Sequence, residues 1–540
     1  MIKYRYLLIV FLSNFFLKSA YSASCTANTN NVGDCTGPLN VTSSSNTISN
    51  SGTISLTGTA SINGIYNTGN SNTITNSNTI NVTGSGNHAY AFGISYSGSN
   101  NTVTNTGTIN SINTGSNSAG NTYGMLDTGS SNTSQNSGVI NVTTSVAIGQ
   151  GMYSNGANST NINSGTINVT STSNQAIGFY VDNINNTFTN SASGSINATS
   201  DNSLGYAIHN NASNLTFSNS GTIRATSTSS FGYAINNNGS NLTFSNSGTV
   251  SGISTSSVGT GFRDRFGGAT ITNSGTISGT STSGEGYGLY LTGPSATITN
   301  TNTGTISGLT AGIFNSATGI TITNSGIITG GTNSINNTGG IATFNNSQGA
   351  LSSALTYQGN LPTNYNIIIN STSNYGQLAV TSGTGTMAFN IYGYTGQTLT
   401  SGVSASLVSN NHLYQNVLTG LIGSLSGSTI TGTGFSITGA TGTYGGYSYA
   451  LVADDSNVSG VWDLLFGSLG PSAADTQSSL TTLSKSLRSS FNATLMSSNY
   501  ANMNTYDCNL FDKNNMCISA GGLSPPLIIR ALIIPLRWWC

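Results

Sequence analysis

Charge is what this sequence has least of. Its 540 residues include only 11 Lys or Arg and 12 Asp or Glu, 4% in all, against about 25% in an ordinary soluble domain. Arg224, Arg263 and Arg265 are the only basic residues between Ser19 and Ser484. A nucleic-acid partner is excluded on that ground, because neutralising phosphates takes clustered Lys and Arg. Ordinary disorder is also disfavoured, since it pairs low hydrophobicity with high net charge. Here the net charge is -1 and 36% of residues are hydrophobic.

Cysteine and histidine are equally sparse. The five cysteines fall as two close pairs, Cys25 with Cys35 and Cys508 with Cys517, leaving Cys540 over. Neither pair has the two-residue spacing of a metal knuckle, and the singletons His88, His209 and His412 lie near neither. No metal or other cofactor is expected. In an exported chain, each pair is suited to closing a small disulfide loop.

Export is what the N-terminus suggests. Lys3 and Arg5 precede an apolar run from Tyr6 to Leu17, followed by the small residues of Ala20-Tyr21-Ser22-Ala23-Ser24. This is the pattern of a signal peptide over residues 1–24, its apolar core too short to span a bilayer comfortably.

Ser, Thr, Asn and Gly supply most of what remains, in a repeat. Asn-Ser/Thr-Gly-Thr before a β-branched residue recurs about every 27 residues. It closes on Ile54, Ile80, Ile109, Ile140, Ile167, Ile196, Ile223, Val250, Ile277, Ile306 and Ile328. A second marker, Gly before a large apolar residue, runs in phase from Gly64 to Gly312. Each unit holds three short segments of period-two alternation punctuated by Gly and Asn, which favours strands over helix. So short a unit buries its apolar face only by stacking on its neighbours. The expected fold is therefore all-β: a right-handed parallel β-helix of about eleven coils of 27–29 residues over 46–347, after an N-terminal cap at 25–45. Ile48, Ile74, Val103, Phe217, Phe244, Ile271 and Ile322, six residues before a closing position, should face inward with it.

Four residues before the closing position stand Asn50, Asn76, Asn105, Asn136, Asn163, Asn219, Asn246, Asn273, Asn302 and Asn324. Asn190 is displaced by a two-residue insertion. Stacked identical amides hydrogen-bond along an axis. Asn and the Gly two residues on tolerate a left-handed corner. These residues are expected to form a structural corner ladder rather than a ligand row.

Regularity fades after Ser347. Residues 348–470 remain β-rich and are expected to cap the last coil, whose open edge would otherwise aggregate. Pro471, Ser472 and Asp475 then signal a helix start. Leu480, Leu483, Leu487, Phe491 and Leu495 follow at helical spacing, predicting a linker helix over 471–503. Residues 504–522 read as the start of a further domain. The tail 523–540 changes composition abruptly, lacks Asn, Gly and Thr, and reads as out-of-frame sequence.

This layout resembles the autotransporter family of Gram-negative bacteria: signal peptide, Asn-Ser-Gly-Thr-Ile repeats, β-rich junction, linker helix. Tyr365-Asn-Ile-Ile-Ile-Asn-Ser-Thr-Ser-Asn-Tyr-Gly-Gln-Leu378 is similar to the family's junction. Tyr506-Asp-Cys-Asn-Leu-Phe-Asp-Lys-Asn-Asn-Met-Cys517 is similar to the approach to its translocator barrel. The resemblance implies a surface passenger served by export machinery. The family's twelve-stranded barrel would need about 10 residues per strand, which 18 residues cannot supply, so a truncated translocator is expected. An intact relative would reach the cell surface; this form would stay in the periplasm or be secreted.

Chemistry is hard to place. Arg263-Asp264-Arg265 is the one dense charged cluster, and it reads as a local ion-paired loop before it reads as a catalytic site. Tyr66, Tyr153, Tyr180, Tyr290 and Phe314 share one offset after the Gly marker. If their neighbours Ile65, Met152, Phe179, Leu289 and Ile313 point inward, these aromatics form an outer stripe suited to sugars or surfaces; core stacking is the other reading. The expected function is adhesive or structural without catalysis, toward surface glycans or neighbouring or host cells. The alternative is a polysaccharide lyase or hydrolase.

Overall fold

The computed structural model describes residues 25–503, apart from 32, 87–88, 117–119, 396–397, 401–406, 409–411, 445, 455–459 and 469–472. The expected signal peptide, the Cys508 and Cys517 pair, the translocator start and the tail lie outside the described residues.

Each coil lays down three strands in a fixed order. The first coils read β1 (Leu39–Val41), β2 (Thr47–Asn50) and β3 (Ile54–Gly58), then β4 (Ile62–Asn67), β5 (Thr73–Asn76) and β6 (Thr79–Gly84). Strands three apart in sequence pair in parallel: β1 with β4, β2 with β5, β3 with β6. The chain thus winds a parallel β-solenoid with three faces, which we number by this order. Faces one and two continue past face three. Face three holds eleven strands and ends at β33 (Ile327–Gly330). Faces one and two carry on through β36 (Leu355–Asn360), β37 (Asn364–Ile368) and β38 (Leu378–Thr395), still in parallel. The solenoid therefore has about thirteen turns, not eleven. Sequence periodicity stopped early because the last turns drop the Asn-Ser-Gly-Thr strand that defined the repeat.

The core is built of registered columns. Every closing residue from Ile54 to Ile328 is 0% exposed and stacks on its counterpart one coil away. Face two contributes Ile48, Ile74, Val103, Phe188, Phe217, Phe244, Ile271, Ile298 and Ile322 to the same interior, all buried. They meet the closing residues across the bore, because the Asn-Ser-Gly corner turns the chain between the two strands. Phe188, Phe217 and Phe244 stack at centroid distances of 5.1 and 4.8 Å.

The solenoid's first turn is an extension of the same pattern. Asn31 pairs with Asn50 and Cys35 with Ile54. Cys25 and Cys35 form a disulfide, and Cys35 is buried against the first core column. At the other end the strand order breaks into antiparallel hairpins. β41 (Gly423–Ser426), β42 (Thr429–Gly432) and β43 (Phe435–Thr438) fold back on one another, and β40 (His412–Thr419) pairs with β46 (Trp462–Ser468). The expected cap thus begins as further coils and only then becomes a hairpin layer.

A second compact unit starts at Ser468. Its described part is one helix, α1 (Ala473–Met503), within two residues of the predicted start. Leu480, Leu483, Leu487, Phe491 and Leu495 lie 45–65% exposed. No helix among the described residues is long and apolar enough to cross a membrane.

Candidate functional site: the amide ladder and an outer aromatic strip

The corner asparagines form one continuous hydrogen-bonded column inside the solenoid. Each Nδ2 donates to the Oδ1 of the next coil through Asn31, Asn50, Asn76, Asn105, Asn136, Asn163, Asn190, Asn219, Asn246, Asn273, Asn300, Asn324 and Asn346, at 2.6–3.2 Å. The second amide hydrogen donates to the carbonyl of the glycine at the corner, as Asn105 does to Gly107 at 3.2 Å and Asn163 to Gly165 at 3.1 Å. The position needs two donors and one acceptor in a buried place, which is the inventory of an amide. Asp lacks the donors and Ser lacks the reach.

Two assignments change. Asn190 belongs to the ladder and Asn302 does not: Asn300 occupies the rung, and Asn302 is exposed in the turn that follows. Both coils with an extra two residues hold them between the Asn and the Gly, in turns closed by Gly194 N to Ser191 O and Gly304 N to Thr301 O. Counting backwards from the closing Ile therefore misses the rung by two.

The left-handed corner also lies elsewhere. Positive φ occurs at Ser45, Ser71, Asn100, Ser131, Asn158, Asn185, Asn214, Asn241, Gly268 and Ser295, each two residues before a face-two strand, and at Gly319, immediately before one. The corner glycines are required for space instead: a Cβ on Gly138 would stand 2.0 Å from the Gly107 carbonyl oxygen.

A shorter amide column lines the inner side of face one. Asn210 donates to Asn237 at 2.7 Å and Asn237 to Asp264 at 2.8 Å. Asp127 occupies the same column and accepts from Asn132 at 2.6 Å. Burial pushes the carboxyls of both Asp127 and Asp264 up to about 6, against the hydrogen bonds they accept. The Oδ2 of each has no partner.

Arg263-Asp264-Arg265 is therefore not a cluster in space. Asp264 points into the interior and is 0% exposed. Arg263 faces outward, its guanidinium 5.2 Å from the centre of the Tyr233 ring. Arg265 is exposed and lies over Phe266. The expected loop ion pair gives way to strand alternation, which sends successive side chains to opposite faces. No group of three His, Cys, Asp or Glu able to hold a metal occurs among the described residues.

The aromatic residues resolve the same way. Ile65, Met152, Phe179, Leu289 and Ile313 are at most 1% exposed and point inward. Tyr66, Tyr153, Tyr180, Tyr290 and Phe314 therefore take the outer side of face one, in one register column. A second outer column, three residues earlier in each strand, carries Phe92, Tyr123, Tyr206, Tyr233 and Tyr287. Sequence reading missed it because its residues sit before the Gly marker in some coils and after a displaced Gly in others: Gly205 and Gly232 align with Ala176, two positions before the true marker.

The two columns complete each other. Phe92, Tyr123, Tyr153 and Tyr180 stack in turn at 5.2, 5.8 and 4.8 Å. Tyr180, His209, Tyr206 and Tyr233 continue at 5.0, 4.6 and 5.8 Å. Tyr287, Tyr290 and Phe314 resume the strip at 5.3 and 5.0 Å. Ile177, Tyr206 and Tyr233 form a small apolar cluster separate from the core. Desolvation by these neighbours lowers the His209 pKa to about 4, so its imidazole is neutral at physiological pH.

Between Tyr233 and Tyr287 the strip is interrupted. Thr260 occupies the rung where its neighbours carry tyrosine. A cavity of about 180 Å³ opens there, lined by Tyr233, Thr260, Arg263, Glu285, Tyr287 and Tyr290 among others.

No protein-family model and no curated protein sequence matches this chain.

Proposed function

We propose that the chain is an exported, autotransporter-like passenger whose solenoid acts as an adhesive or structural surface scaffold without catalysis. The observation that carries this reading is the aromatic strip on the outer side of face one. Tyr66 is exposed and Phe92, Tyr153, Tyr180, Tyr290 and Phe314 are half-buried, over a buried layer of Tyr123, Tyr206, Tyr233 and Tyr287, so a nearly uncharged polar solenoid offers rigid aromatic contact toward sugars or other surfaces. The two asparagine columns make the scaffold self-sufficient, since they satisfy their own amides from coil to coil.

The enzyme reading, a glycan lyase or hydrolase, loses its best residue. Asp264 is sealed in the interior and hydrogen-bonded to Asn237, whereas a general acid or base must reach its substrate.

The test is display. Added protease or antibody should reach the repeat region on intact cells of the source organism. Cleavage only after lysis would overturn the surface reading. Separately, a glycan-depolymerising activity that Asp264→Ala abolishes would overturn the non-catalytic one.

A further inference from the structure

Faces one and two run on past β33, whereas face three stops there. β33 pairs with β30 (Thr305–Gly308) on one side and, among the described residues, with no strand on the other. Such an edge presents backbone N–H and C=O groups to whatever strand comes next. Ile327 turns its N–H back to the Gly304 carbonyl, and the next residue, Ile328, turns its own the other way.

A side chain meets Ile328. Its N–H donates to Gln348 Oε1 at 2.7 Å, and Gln348 Nε2 donates to the Ile328 carbonyl at 3.1 Å. A primary amide carries both donors and an acceptor, so its head makes the pair of bonds that a neighbouring strand would make. Asn324 Nδ2 donates to the same Oε1 at 3.1 Å. Gln348 is buried, and its backbone is held in place: its N–H donates to Asn346 Oδ1 at 3.1 Å, and its carbonyl accepts from the Gln377 N–H at 2.9 Å. Asn346-Ser347-Gln348 falls where earlier coils have Asn136-Ser137-Gly138 and Asn163-Ser164-Gly165. Gln thus replaces the corner glycine in the coil that follows β33, which lays down no strand on face three.

We propose that Gln348 is a built-in plug: it occupies the site on β33 at which a strand of a second copy of this chain adds, and so keeps solenoids from joining edge to edge. Sheet edges are ordinarily blunted by Lys, Pro or a bulge. Residues 323–332 contain no charge and no proline, and Ile327 and Thr329 are exposed. A second copy is the partner because the repeat supplies a matching strand. Ile306-Ser307-Gly308 already stacks on Ile328-Thr329-Gly330 within the chain, and the β33 edge of another copy presents the same residues. This inference stands apart from the adhesive reading.

The experiment is sedimentation velocity of the purified chain over a concentration series, with hydrogen exchange read at residues 327–330. Gln348→Ala should self-associate about ten-fold more tightly than the parent or more, the scale of two backbone hydrogen bonds. Its Ile328 amide should exchange faster than the parent's when dilute and slow again as the chain associates. Adding Thr329→Lys to Gln348→Ala should return association to the parent's level, because a lysine on an edge strand bars pairing. Gln348→Gly restores the corner glycine of the earlier coils and takes the same measurements if the alanine variant does not fold. Asn163→Ala removes a ladder rung far from the edge; it controls for lost stability and should associate as the parent does. Unchanged association in Gln348→Ala or its glycine substitute would overturn the proposal. So would association that Thr329→Lys leaves intact, equal association by Asn163→Ala, or unchanged exchange at Ile328. Failure of both Gln348 variants to fold would make the residue a requirement of folding rather than a plug, and would overturn it as well.

Discussion

The Nδ2 of Asn237 donates to the Oδ1 of Asp264 at 2.8 Å inside the solenoid, where the next residue of the column, Leu291, can return nothing. Asp264 ends an amide run that began at Asn210, and its Oδ2 is buried without a partner. That arrangement is more comfortable protonated than charged, which is why burial raises the carboxyl to about 6 from its ordinary 3.8.

The sign of the pH effect follows. A carboxyl whose folded pKa stands above its unfolded value binds its proton more tightly in the folded chain. It therefore destabilises the fold at pH above about 6, and the fold gains stability as pH falls from about 6 toward the unfolded 3.8. Asp127, also raised to about 6, acts in the same direction. Asp264→Asn should raise the melting temperature at pH 7.5, and the Asp127→Asn/Asp264→Asn double variant should flatten the pH dependence between 6 and 4. Thermal melts by circular dichroism across that range check it; a double variant that still gains stability on acidification would contradict this assignment.

The ladder makes a paired prediction. Asn300→Ala removes a buried rung, leaving the Asn273 Nδ2 without its acceptor and the Asn324 Oδ1 without its donor, costing about 1–3 kcal/mol. Asn302→Ala changes an exposed turn residue and should fall within about 0.5 kcal/mol of the parent. Asn190→Ala should behave like Asn300→Ala. Denaturant unfolding of the three variants distinguishes this ladder from one that counts from the closing Ile.

Gly138→Ala should destabilise the solenoid although alanine is the better strand and helix residue. The added methyl would stand 2.0 Å from the Gly107 carbonyl oxygen, a contact with backbone that cannot swing away. The coils around residues 107–138 would have to part, so hydrogen exchange should quicken there first and at distant coils least, as nearest-neighbour stacking requires.

Reducing the Cys25–Cys35 disulfide should loosen the first turn without unfolding the rest. The bridge closes a short loop, 10 residues apart in sequence, worth about 2–3 kcal/mol to the segment it constrains. Limited proteolysis under reducing conditions should cut near residues 25–45 while the coils from β4 onward resist.

Much of this architecture was legible in the sequence, and for a definable reason. A solenoid's contacts repeat with its period, so a column such as Ile54, Ile80 and Ile109 announces both the strand and its neighbour. The same argument located the aromatic positions of Tyr153 and Tyr180. What escaped it were places where the period slips. Two-residue insertions put Asn300 rather than Asn302 on the rung. A displaced glycine hid the column of Tyr206 and Tyr233. The last two turns, with Tyr357 and Tyr365 in the core, had lost the motif altogether.

The sequence by itself thus determined the parallel solenoid, its inward columns and the amide ladder, because local strand pattern and coil-to-coil identity are both written in a one-dimensional repeat. Only the tertiary structure decided which way each ring and charge faces. Alternation within a strand sends Arg263 out and Asp264 in, and register between coils sets Thr260 between Tyr233 and Tyr287.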